Sequence, residues 1–178
     1  LNFVNKFNSY DNYEILLVSG SIKKKNFDVI DVLNTLKKEQ KFKVNLGTAY
    51  NPYLNKYFNI SSETERYEKK ISSGLVKSTW LQFGTDLNLL ASEVYKLRQI
   101  GKNQKMDLFG SLLIPSKQFL ARFEFRPWRG VYISDKYSSS LEEFYFFTKD
   151  LVDFYYENNI TPVIETDFSS LKKLNLIY

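Results

Sequence analysis

Neither Cys nor His occurs among the 178 residues, so thiolate nucleophiles, disulfides, imidazole bases and the commonest metal ligands are all missing. Chemistry must come from carboxylates, Lys, Tyr, amides or a bound cofactor. The stretch 73–86 is the first place to look: Gly74 marks a helix stop, residues 78–83 form an apolar run, and Gln82 and Asp86 fall at its end. Gln82 carries a donor and an acceptor on one planar group. Asp86, just before a helical pattern, suits a helix cap. The second place is Arg126-Pro127-Trp128-Arg129. Two guanidinium groups beside an indole can clamp an anion against an aromatic wall; alternatively the Trp plugs the rim of the fold and leaves both Arg solvated. Lys117 and Arg122 make the region cationic in either case.

These groups need elements to hold them. Residues 14–20 are a short branched apolar run closed by Gly20, as in a buried parallel strand, and Val29, Ile30, Leu33 and Leu36 then recur at helical spacing. The pair repeats. Residues 42–50 read as a strand running into a turn at Asn51-Pro52, and 61–71 as a charged helix with capping-box character. Residues 78–83 give a third strand, 87–100 a helix with Leu89, Leu90, Val94 and Leu97 on one face, and 106–114 a fourth strand stopped by Pro115. A short helix over 116–123, an excursion over 124–132 across one rim, a long helix over 141–156 and a fifth strand over 160–165 complete the reading.

Strand and helix alternate, and no Asn-Gly hairpin signal joins two strands, so the expected class is α/β with a parallel sheet. Five strands in this length use ~35 residues each, which matches part of an eight-stranded barrel of about 250 residues. The competitor is an open doubly wound sheet, although no Gly-x-Gly-x-x-Gly follows the first strand. A hydrophobic fraction of 43% suffices for one core, and a single domain over 1–178 is expected. The net charge of +5 is scattered, and its one dense run, Lys23-Lys24-Lys25, reads as a solvated loop. No nucleic-acid partner is expected. Without a membrane-length apolar stretch or a signal pattern, the expected location is the cytoplasm.

Taken in order, Leu16-Leu17-Val18-Ser19-Gly20, Thr48-Ala49-Tyr50, residues 63–86 and Gly110-Ser111-Leu112-Leu113-Ile114-Pro115 resemble the second half of the methylenetetrahydrofolate reductase barrel, from about residue 14 to residue 166. That family is a flavin-dependent (βα)8 barrel reducing methylenetetrahydrofolate to methyltetrahydrofolate, with FAD as carrier and NAD(P)H as hydride donor. The resemblance implies that the strands here are the fourth to eighth. The first three strands, and the family's catalytic acid, would lie upstream of Leu1, and the chain's opening on Leu instead of Met agrees with a missing front. It further implies that Gly20 allows close ligand approach, that Ala49 and Tyr50 touch the flavin, and that Lys70 and Glu63 lie near the cofactor's phosphate or ribityl region. Gln82 would face the folate pterin, and Phe119 would pack on folate or nicotinamide.

Each position also has an ordinary structural job: a turn for Gly20, rim packing for Tyr50 and Phe119, a solvated helix for Glu63 and Lys70. Two departures bear on the flavin. The family's Arg-Gly-Asp around Gly20 is Ser19-Gly20-Ser21 here, and Leu54 stands near the family's His. A hydroxyl cannot supply the lost charge. The sequence therefore carries two functional expectations: a flavin-dependent reductase of one-carbon folate metabolism, and a non-catalytic module that binds a pterin or another anionic ligand. A partial barrel exposes strand edges, so homo-oligomerisation is an expected partner state.

Overall fold

A computed structural model describes residues 6, 13–19, 28–39, 44–102 and 105–168. Gly20, Ser21 and the Lys23-Lys24-Lys25 run lie outside the described residues. Strand β1 (Glu14–Leu17) leads to helix α1 (Val29–Glu39), and β2 (Asn45–Tyr50) to a short α2 (Leu54–Phe58) and α3 (Glu63–Ile71). Then β3 (Val76–Leu81) leads to α4 (Leu87–Ile100), and β4 (Asp107–Ile114) to α5 (Lys117–Phe125), α6 (Asp135–Ser138) and α7 (Leu141–Glu157), before β5 (Ile160–Thr166).

Local chemistry places these boundaries. Asp28 accepts from the Ile30 N–H at 2.9 Å where α1 begins, and Lys37 and Lys38 occupy its last turn, where cations suit the helix dipole. Asp86, Ser116 and Ser140 cap α4, α5 and α7 through the N–H groups of Leu89, Phe119 and Glu143. Gly74 has φ +77 between α3 and β3, a conformation that a side chain would strain.

The four strand pairings are all parallel and the sheet order is β1-β2-β3-β4-β5. Each strand thus lies beside its sequence neighbour. Right-handed crossovers then carry α1, α3, α4 and α7 to the same face, and the sheet curls into a half barrel. A doubly wound sheet reverses its strand order at a switch point. This one does not, so that alternative is excluded.

Side chains alternate between the faces of the curl. Thr79 shares a hydrogen bond with Tyr67 of α3, at 2.9 Å, and the ring of Tyr155 from α7 lies against Gly110, where an added Cβ would come within 2.3 Å of it. Residues of that phase face the helices. Leu46, Tyr50, Leu81, Leu108 and Leu112 join Leu33, Tyr67, Leu90, Leu97, Phe144 and Leu151 in the buried layer between sheet and helices. Burying each such side chain stabilises by about 1.5–3 kcal/mol. The opposite phase, with Ser78, Trp80, Phe109 and Ser111, faces the concave side. Among the described residues, no helix is long and apolar enough to cross a membrane.

Candidate ligand site at the strand ends

Residues that follow the C-terminal ends of the strands build a continuous rim. Gln82 extends β3 by one bond, its N–H donating to the Tyr50 carbonyl at 2.9 Å, while its own Oε1 accepts from the Phe83 N–H at 2.9 Å. Gly84 forms a parallel bridge with Tyr132, and Thr85 donates to the Tyr132 carbonyl at 2.9 Å. Asn51, at the end of β2, donates through Nδ2 to the Gly130 carbonyl at 2.7 Å. The excursion over 124–132 is therefore folded across the ends of β2 and β3. Its partners are far away in sequence, which is why no periodicity announced it.

Asp86 has the expected helix-capping role, accepting from the Leu89 N–H at 3.0 Å, and it also binds Lys56 at 2.7 Å and the Tyr57 hydroxyl at 2.6 Å. Burial pulls its acidity one way, but the bonds from Lys56, Tyr57 and Leu89 outweigh it and hold the carboxyl below its ordinary value. The Tyr57 ring stacks on Tyr132 with centroids 3.4 Å apart. Asp86 is thus spent on structure.

Of the described residues that the resemblance implies for flavin binding, Ala49 pairs with Trp80 and has the concave phase, while Tyr50 and Lys70 occupy a different layer. Tyr50 is buried against α3 and α4: its hydroxyl donates to Glu93, lies 3.4 Å from Thr64, and its ring meets Tyr67 edge-on. Burial and the Glu93 carboxylate push this phenol far above its ordinary value. Lys70 is buried, donates to the Ala49 carbonyl at 2.8 Å and lies 3.8 Å from Glu63. Glu63 in turn accepts from the Asn51 N–H at 3.4 Å. Ala49, Tyr50, Glu63 and Lys70 are indeed neighbours. They are gathered around the β2–α3 contact at the end of β2, where the Tyr50 and Lys70 side chains lie in the helix layer.

The residues expected to bind substrate separate differently. Phe119, Arg126, Trp128 and Arg129 line one cleft of about 630 Å³, together with Arg122, Phe123, Pro127 and Asp167. That volume lies within the ~300–1,000 Å³ common for small-molecule sites. Phe119 and Trp128 meet edge to face with centroids 4.9 Å apart, and Trp128 remains 53% exposed. Three Arg against one Asp make the cleft cationic. Asp167 also fastens one wall: its carboxylate accepts from the Ser116 N–H at 2.8 Å and hydroxyl at 2.6 Å, and Arg122 stands 3.5 Å away. The sequence reading missed Asp167 because it lies 51 residues from Ser116. Gln82 does not line this cleft. A larger open groove of about 940 Å³ between α5 and α7, with Lys117, Glu124, Glu142 and Lys149 among its lining residues, lies on the outer helix layer and mixes its charges.

The concave face holds a polar and aromatic set that the sequence reading also missed. The Trp80 indole N–H donates to Glu14 Oε1 and Ser78 Oγ, both at 3.0 Å, and Ser78 donates to the same Glu14. Gly47 makes room for the cluster, since a Cβ there would stand 2.6 Å from Ser78 Oγ and 2.7 Å from Glu14 Oε1. The Trp80 ring stacks on Phe109 at 4.6 Å.

No family model and no curated protein matches this chain. A solved structure does: a protein from Clostridium thermocellum, described as uncharacterised and as binding two copies of 5-methyl-5,6,7,8-tetrahydrofolic acid, superposes with a TM-score of 0.63 at 15% identity. The match covers 97% of this chain but 64% of the other, so this chain spans less than two thirds of its neighbour's length. At that identity the likeness concerns the fold.

Proposed function

We propose that this chain binds a folate-type small molecule at the C-terminal ends of its strands, as a ligand-binding module without redox chemistry of its own. The observation that carries this reading is the rim cleft, where Phe119 and Trp128 stand beside Arg122, Arg126 and Arg129. A folate joins flat aromatic groups to a carboxylate tail. Aromatic walls suit the first, and guanidinium groups suit the second through paired N–H donors. The fold likeness to a protein described as binding methyltetrahydrofolate supports the same ligand class.

The five strands correspond, on this reading, to strands four to eight of a (βα)8 barrel, whose ligands gather at the C-terminal face. FAD and NAD(P)H are not part of it. Tyr50 and Lys70 already have buried protein partners, an arrangement that does not fit an isoalloxazine neighbour or a cofactor phosphate. Ser21 and Leu54 replace the family's charge and imidazole. Calorimetric titration with 5-methyltetrahydrofolate is the test. Saturable binding without NADH oxidation is the expected result; no binding overturns the proposal, and a yellow protein that takes up FAD and oxidises NADH replaces it with the reductase.

A further inference from the structure

Among the described residues, two buried side-chain oxygens have no hydrogen-bond partner, Thr48 Oγ1 and Ser111 Oγ. A hydroxyl left in that state costs about 1–3 kcal/mol, and folded proteins keep few of them. Alanine or valine would pack without the penalty. The two differ in where they point. Thr48 has the phase of Leu46 and Tyr50 and faces the helix layer, where packed side chains close over it. Ser111 follows Gly110, whose face is covered by Tyr155, so Ser111 points to the concave side.

Leu81 pairs with Gly110 in the sheet register, and Gln82 and Ser111 are the next residues along these two chain segments. The concave face carries the Trp80–Phe109 stack two residues before them. The Gln82 amide uses only its oxygen, on the main chain of its own neighbour. We infer that Ser111 is a hydrogen-bonding residue for the ring end of the ligand, acting beside Gln82 on the concave face, with Trp80 and Phe109 as the adjoining aromatic surface. This rests on the folate-type reading above, with the benzoyl group and carboxylate tail in the rim cleft and the pterin on the concave face. A pterin's pyrimidinone edge sets a carbonyl oxygen beside a ring N–H, and an amide donor next to a hydroxyl acceptor complements that edge. Ser111 is covered, so binding requires side-chain movement at the strand ends. Gln82, whose side chain among the described residues bonds the Phe83 N–H alone, is the group placed to move.

The test uses two variants and two ligands. Ser111→Ala should weaken 5-methyltetrahydrofolate binding about tenfold, the size of one hydrogen bond, leave p-aminobenzoylglutamate, which lacks the pterin, unchanged, and leave the ligand-free protein as stable or more so in denaturant. Thr48→Val should preserve or raise stability and change neither affinity. Ser111→Cys, close in volume and poor in hydrogen bonding, gives the same ordering if alanine harms folding. Unchanged pterin affinity in both Ser111 variants, or equal loss of both ligands, overturns the inference. A wild-type chain that binds neither ligand overturns the folate reading itself.

Discussion

Lys70 and Arg126 are both cations that the sequence reading sets beside a ligand, and they have opposite fates. Lys70 lies in the layer between β2 and α3, buried, with the Ala49 carbonyl and Glu63 as partners. Arg126 lies exposed on the lip of the rim cleft with Trp128 and Arg129. Between β2 and α3 the polar side chains of Tyr50, Glu63 and Lys70 meet protein partners, whereas on the rim the Trp128 and Arg126 side chains stand exposed. Charge in the sequence is therefore a poor guide to ligand contact until the face is known.

Four experiments bear on that contrast. The largest effect is expected for Lys70→Ala: removing this buried cation leaves the Ala49 carbonyl unpaired and half-buried Glu63 without its partner, at about 3 kcal/mol. Denaturant unfolding should show that loss while the folded fraction binds ligand normally. A variant of full stability that loses the ligand would return Lys70 to the site.

Next comes alkaline pH. Burial raises the phenols of Tyr50, Tyr53, Tyr67 and Tyr155, with Tyr67 pushed up to about 12. Above pH ~10 the unfolded chain gives up phenolic protons that the folded chain retains, so it binds fewer protons and stability falls as pH rises. Stability should be full below pH ~10 and drain between about 10 and 12, Tyr67 alone withdrawing on the order of 2–3 kcal/mol. A flat unfolding midpoint from pH 9 to 12 would contradict the helix-side burial.

On the rim, Arg126→Ala combined with Arg129→Ala should cost at least about tenfold in 5-methyltetrahydrofolate affinity, with stability changed by less than about 0.5 kcal/mol. Binding by the wild type should weaken as salt rises, because exposed charges are screened. Asp86→Ala should have the smallest effect, about 1 kcal/mol for a lost cap, and no effect on affinity. Because the folded Asp86 carboxyl sits below its ordinary value, its contribution is present above pH ~4 and lost as pH falls through the folded value. The wild type should therefore lose more stability than Asp86→Ala on acidification below that range.

Much of the architecture was legible because each strand is a short branched run and each helix has its stripe. The third strand shows the limit. Its apolar run suggested 78–83, but it starts at Val76, which pairs with Leu46, and stops at Leu81. Helices α2 and α6 have five and four residues, too few to display a period. The direction of Tyr50 was hidden for another reason: a parallel strand buried on both faces has no polar alternation to reveal which side chains meet the helices. The rim cleft was half visible. Phe119, Arg126, Trp128 and Arg129 stood out by type, while Arg122 and Asp167 acquire their meaning only from a contact between the ends of β4 and β5.

That contact ties one wall of the cleft to the end of β5. The Asp167 carboxylate, just past the strand, accepts from the Ser116 N–H and hydroxyl at the start of α5, so the spacing of the cleft walls is set by a junction between two neighbouring strand ends and not by either element alone.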